Sequence, residues 1–138
     1  MDKIEETKIQ FLGYFVREMN FLRNDNFKSE KINLNMKFSK NTTYLENNKV
    51  KLNVNAKLFE DAVTKNYPFS LSLVVTGVFQ YNHINIDEDK KREMLEQKLL
   101  DILYPYIRSI VSTITMTSNL PPLYLPTLNI NQFISVNK

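Results

Sequence analysis

The stretch KVKLNVNAKL, residues 49–58, alternates without a break, with Val50, Leu52, Val54, Ala56 and Leu58 on one parity and Lys49, Lys51, Asn53, Asn55 and Lys57 on the other. A period of two is that of a β-strand, and one apolar face opposite one polar face predicts an antiparallel sheet solvated on one side. KINLNMKFSK, residues 31–40, follows the same rule: Ile32, Leu34, Met36 and Phe38 oppose Lys31, Asn33, Asn35 and Lys37. Between the two, NTTYLENN suits a hairpin connection.

Two further strands flank this pair. IQFLGYFVREMNFL, residues 9–22, alternates loosely, placing Ile9, Phe11, Gly13 and Phe15 on one parity with Met19 and Phe21 continuing it and Arg17 interrupting. Gly13 there marks a bulge or a close backbone approach. FSLSLVVTGVFQY, residues 69–81, turns Phe69, Leu71, Leu73, Val75, Gly77 and Phe79 inward and is apolar on both parities in its middle, as a central strand requires.

The period then changes. Leu95, Leu99, Ile102, Leu103, Tyr106, Ile107, Ile110 and Ile114 recur at helical spacing, predicting one long helix over residues 88–118 with Asp87 as its cap. Pro105 predicts a kink or break near Leu103, and Pro121 and Pro122 end the helix after a turn at Ser118 and Asn119. TSNLPPLYLPTLN, residues 117–129, is too rich in proline for helix or strand and is expected to be an ordered apolar loop that closes the core or walls a groove. NINQFISVNK adds a turn or two of helix. The whole, residues 1–138, reads as a single α+β domain.

The tools of catalysis are scarce. There is no Cys, and His83 is the single His, which removes disulfides, thiolate chemistry and imidazole-rich metal sites. Gly13 and Gly77, the two glycines, cannot build a phosphate cradle, and Asp87, Glu88 and Asp89 read as a helix start. No catalytic residue, metal or cofactor is expected. The net charge of +3 is modest. Lys31, Lys37, Lys49, Lys51 and Lys57 share an outer sheet face, but sheet-based nucleic-acid binders carry stacking aromatics on that face and Phe38 has the opposite parity. A solvated Lys face is the expectation. MDKIEETKIQ has no apolar signal core, and no apolar run is long enough to span a bilayer, so a cytoplasmic protein without membrane insertion is expected.

One long segment goes further. LYPYIRSIVSTITMTSNLPPLYLPTLNINQFI, residues 103–134, resembles without gaps a run typical of the SecB family of protein-export chaperones. Leu103, Pro105, Tyr106 and Arg108 match its helix signature; Pro121, Leu123, Leu125 and Asn129 match its loop. GVF at 77–79, YFVREMNF at 14–21 and INLNMKF at 32–38 are weaker matches.

The resemblance implies a four-stranded antiparallel sheet with a long Pro-kinked helix and a short C-terminal helix on one face, assembled as a homotetramer, a dimer of dimers. It implies ATP-independent holding of unfolded or nascent polypeptides in hydrophobic grooves, for export or for a dedicated client such as an antitoxin. The client contacts it implies are Phe27, Leu34, Met36, Leu120, Leu123, Tyr124, Leu125 and Leu128. Tyr106, Ile110 and Ile114 would pack the oligomer. Typical members dock the translocase motor SecA through an acidic sheet surface, where this chain shows Lys and Asn. Two readings from other classes stand beside this one: a non-catalytic structural or adaptor protein with the same fold, and a nucleic-acid binder using the Lys face.

Overall fold

The computed structural model describes residues 8–28, 33–127 and 129–136. In chain order the elements are β1 (Lys8–Arg23), β2 (Met36–Tyr44), β3 (Lys49–Leu58), α1 (Ala62–Lys65), β4 (Phe69–Asn82), α2 (Asp89–Thr117) and α3 (Ile130–Val136). The strands form one antiparallel sheet in the order β1-β4-β3-β2. β4 is paired on both sides, which explains its two apolar parities. β3 occupies the bounds its alternation predicted, with Val50, Leu52, Val54, Ala56 and Leu58 all buried. β2 begins later than expected, at Met36, leaving Leu34 in the preceding loop; Lys31 and Ile32 lie outside the described residues.

The phase of β1 is the main correction to the sequence reading. Its pairing with β4 slips between Phe11 and Gly13 and again between Val16 and Glu18. Each slip inserts one residue and moves the following side chains to the other face. The inner face therefore carries Ile9 and Phe11, then Tyr14 and Val16, then Met19 and Phe21. Phe15, expected inside, is 47% exposed on the outer face, opposite Thr76. Gly13 supplies the first bulge with a φ of 144°, a region that disfavours any side chain.

α2 and α3 cover the inner face. Leu95, Leu99, Leu100, Leu103, Tyr104, Ile107 and Val111 of α2 join the inward residues of β2, β3 and β4 in one core, with Ile130 and Ile134 of α3. Phe38 of β2 packs edge-on against Tyr104 at 6.0 Å and Phe133 at 5.7 Å, tying both helices to the sheet. Ile102, Tyr106, Ile110 and Ile114 form a second and less buried stripe beside it. α2 runs unbroken through Pro105, which lies on its exposed side. The cap is Glu88 rather than Asp87, with no side-chain capping bond. α1 was not legible in EDAVTKNYP: it is one turn of four residues between Asp61 and Asn66, both left-handed, and one turn shows no periodicity.

Leu103 of α2 packs over Gly77 of β4. A Cβ there would stand 2.8 Å from the Phe79 ring and 3.1 Å from Leu103 Cδ1. Gly77→Ala is therefore expected to destabilise the fold by about 1–3 kcal/mol through overpacking, measured as a lowered denaturation midpoint at unchanged slope.

Candidate functional site

The loop after α2 starts from a helix end built to turn the chain back. Asn119 takes the left-handed conformation at φ 56°, its N–H bonds Met116 O at 3.1 Å, and Leu120 N–H bonds Thr115 O at 3.1 Å. This Schellman arrangement satisfies the last carbonyls of α2 and reverses the chain. Arg23 Nη1 donates to Ser118 O at 3.0 Å, fixing the corner to the end of β1.

From there the loop runs back along α2, held by side chains from successive turns of the helix. Thr115 Oγ1 accepts the Leu123 N–H at 2.9 Å, Arg108 Nε donates to Leu125 O at 2.9 Å, and Tyr104 Oη donates to Pro126 O at 2.8 Å. Thr115 is fully buried, and its own hydroxyl proton goes to Val111 O and Ser112 O, at 3.1 and 3.0 Å. Burial pushes the Tyr104 phenol above the ordinary tyrosine value, against the opposing charge of Arg108, so it stays a donor at neutral pH. An apolar segment thus stays extended instead of collapsing, because its backbone is bonded on the helix side.

Its side chains divide. Leu125 is 1% exposed and belongs to the core, so it anchors the loop and offers no side-chain contact at the surface, contrary to the expectation for it. Leu120 and Leu123 are half-buried against the same core, and Tyr124 is 72% exposed. Leu128 lies outside the described residues. Leu34 and Met36 also pack half-buried on that core, and Phe27 is half-buried nearby in sequence.

The Phe27 segment is held by a residue no pattern pointed to. Asn24 is 5% exposed; its Nδ2 donates to Ala62 O at 3.2 Å and Tyr67 O at 2.9 Å, while its Oδ1 accepts the Asn26 N–H at 3.1 Å. A single Asn in a polar run carries no periodic signal. Arg108, which matches the helix signature, holds the loop through Leu125 O.

A second apolar surface lies where β1 emerges from under α2. The Tyr106 ring sits 5.1 Å from Phe11 and 4.8 Å from Tyr14, centre to centre. Tyr106, Tyr14, Val16 and Met19 are 38%, 41%, 42% and 53% exposed, and Ile110 and Ile114 are half-buried. On the opposite sheet face, Lys37 pairs with Glu60 at 3.6 Å. Among the described residues no helix is long and apolar enough to cross a membrane, and no three His, Cys, Asp or Glu side chains gather.

Residues 3–137 match the family described as Preprotein translocase subunit SecB. The chain belongs to the SecB family. Its SecB relatives include the protein-export protein SecB of Orientia tsutsugamushi, 27% identical over 136 residues that span 94% of this chain and 83% of that one. An uncharacterized protein of Methanocaldococcus jannaschii is 32% identical over 133 residues, 94% of this chain and 84% of its own. Among solved structures, the SecB-like chaperone of Mycobacterium tuberculosis, in complex with a ChAD peptide from the HigA1 antitoxin, superposes with a TM-score of 0.69 over 87% of this chain and 89% of that one. At 19% identity this likeness establishes the SecB-like α+β fold.

Proposed function

We propose that this chain is a non-enzymatic chaperone that holds unfolded polypeptides without ATP. The supporting observation is the loop at 118–127: an apolar segment whose backbone is held along α2 by Tyr104, Arg108 and Thr115, with Leu120 and Leu123 half-buried and Tyr124 outside. An exposed apolar surface binds unfolded chains only if the protein cannot fold it away, and bonds from the helix beside it supply that restraint. Leu34, Met36 and Phe27 are the further client contacts in this reading. Wild-type protein is expected to suppress aggregation of a reduced, unfolded protein at near-stoichiometric ratio with no nucleotide present. A folded protein that does not suppress it contradicts the reading.

Assembly as a dimer of dimers belongs to the same proposal, with Tyr106, Ile110 and Ile114 at the packing surface and Tyr14, Val16 and Met19 beside them. Light scattering should give four times the chain mass, and Tyr106→Asp should lower it. A client of narrow range, such as an antitoxin, is favoured over SecA-coupled export by one observation: the outer face carries Lys49, Lys51 and Lys57. An acidic docking surface is not built from these residues. Retention of the protein on immobilised SecA would overturn that preference.

A further inference from the structure

Residues 123–125 have one main-chain edge occupied and the other open. Leu123 gives its N–H to Thr115, and Leu125 takes a proton on its C=O from Arg108, so both odd positions are bonded toward α2. In extended backbone the N–H and C=O of one residue point to the same side, and those of the next residue to the opposite side. Leu120, Pro121 and Leu125 each precede a proline, which pushes them out of the helical region toward extended backbone. Position 124 therefore faces away from the helix.

The open edge has an unusual content. Pro122 and Pro126, the even positions on either side, have no N–H to offer. Tyr124 carries the donor between them. Among the described residues neither its N–H nor its C=O has a partner, and the residue is 72% exposed. The Pro126 carbonyl, drawn to Tyr104, closes the edge at its far end.

We propose that a client segment binds in extended form by exchanging two main-chain hydrogen bonds with Tyr124, its N–H and its C=O, while the client's side chains lie against Leu120, Leu123 and the Tyr124 ring. This rests on the chaperone reading above and adds its register. Main-chain bonds are blind to client sequence, so the pairing asks only that the bound segment be extended. An ordinary sheet edge, with a row of donors, would recruit chain after chain into a growing sheet. Prolines two residues to either side leave Tyr124 the one N–H donor on this edge. The loop grips an extended chain there and propagates no sheet.

The test is amide-resolved hydrogen exchange on the full chain, with and without a saturating small secreted protein kept unfolded by reduction and carboxymethylation of its cysteines. The Tyr124 amide is expected to slow by roughly tenfold or more on binding, while the Leu123 amide, already held by Thr115, changes little. A Tyr124 amide that exchanges unchanged while the probe co-elutes overturns the pairing and leaves the chaperone reading standing. A probe that does not bind overturns both. A semisynthetic chain with the Tyr124 N–H replaced by an ester oxygen keeps the side chain and should bind the probe about fivefold more weakly, the worth of one hydrogen bond. Equal binding would mean that slowed exchange reflects exclusion of water alone, and the pairing fails.

Discussion

A chain carrying Leu123→Asp and Tyr124→Asp should fold and assemble, yet fail to keep an unfolded client in solution. Tyr124 is 72% exposed, and Leu123 is half-buried, held through its backbone, which the substitution leaves bonded to Thr115. The fold loses little at these positions. A client loses two apolar contacts, each worth about 1.5–3 kcal/mol when fully buried, and meets two carboxylates that must be desolvated. Client affinity is expected to fall by about two orders of magnitude or more on that arithmetic, read as the protein ratio needed to suppress aggregation. Circular dichroism and solution mass should match the wild type. Retained suppression by the doubly substituted chain would place the client elsewhere.

One residue further on, the expected effect moves from binding to stability. Leu125→Ala removes a side chain that is 1% exposed and surrounded by core, and should destabilise the fold by about 3 kcal/mol. Tyr124→Ala, its neighbour, should change stability by less than about 0.5 kcal/mol. Equilibrium unfolding of the two variants side by side measures the division between anchor and contact within a single tripeptide. If Leu125→Ala were as mild as Tyr124→Ala, the loop would not be fastened to the core at this point. The same division explains why a substitution meant to spoil client binding must avoid Leu125: a carboxylate there is buried without a partner.

The strands and the long helix were legible because burial imposes a period on them. β3 kept strict alternation through Leu58, and α2 kept its apolar recurrence from Leu95 onward. Phase in β1 was not legible, since a bulge adds a residue without marking it, and only Gly13 and the misplaced Arg17 hinted at one. In the loop no period exists, so Leu123, Tyr124 and Leu125 looked equivalent; their different burial follows from hydrogen bonds made by Tyr104, Arg108 and Thr115, residues distant in sequence. Likewise Asn24, which holds the Phe27 segment through the backbone of α1 and its exit, reads as one more polar residue in NFLRNDNF. On α2 the recurrence read from the sequence passed over Leu100, Tyr104 and Val111, which join the core, while Ile102, Tyr106, Ile110 and Ile114 lie at its margin.

The two slips in β1 have a consequence for how this strand can change over evolutionary time. β1 has 16 residues against 14 in β4, and the surplus is one residue at each slip. Remove Leu12, Arg17 or both, and Phe11, Tyr14, Val16, Met19 and Phe21 still fall on the same face, now in a more regular ladder. Insertions and deletions ordinarily collect in loops because a strand cannot absorb them. Here two positions inside a strand are spare, so SecB chains that differ in length in the middle of β1, rather than at its ends, can share one inward set of side chains.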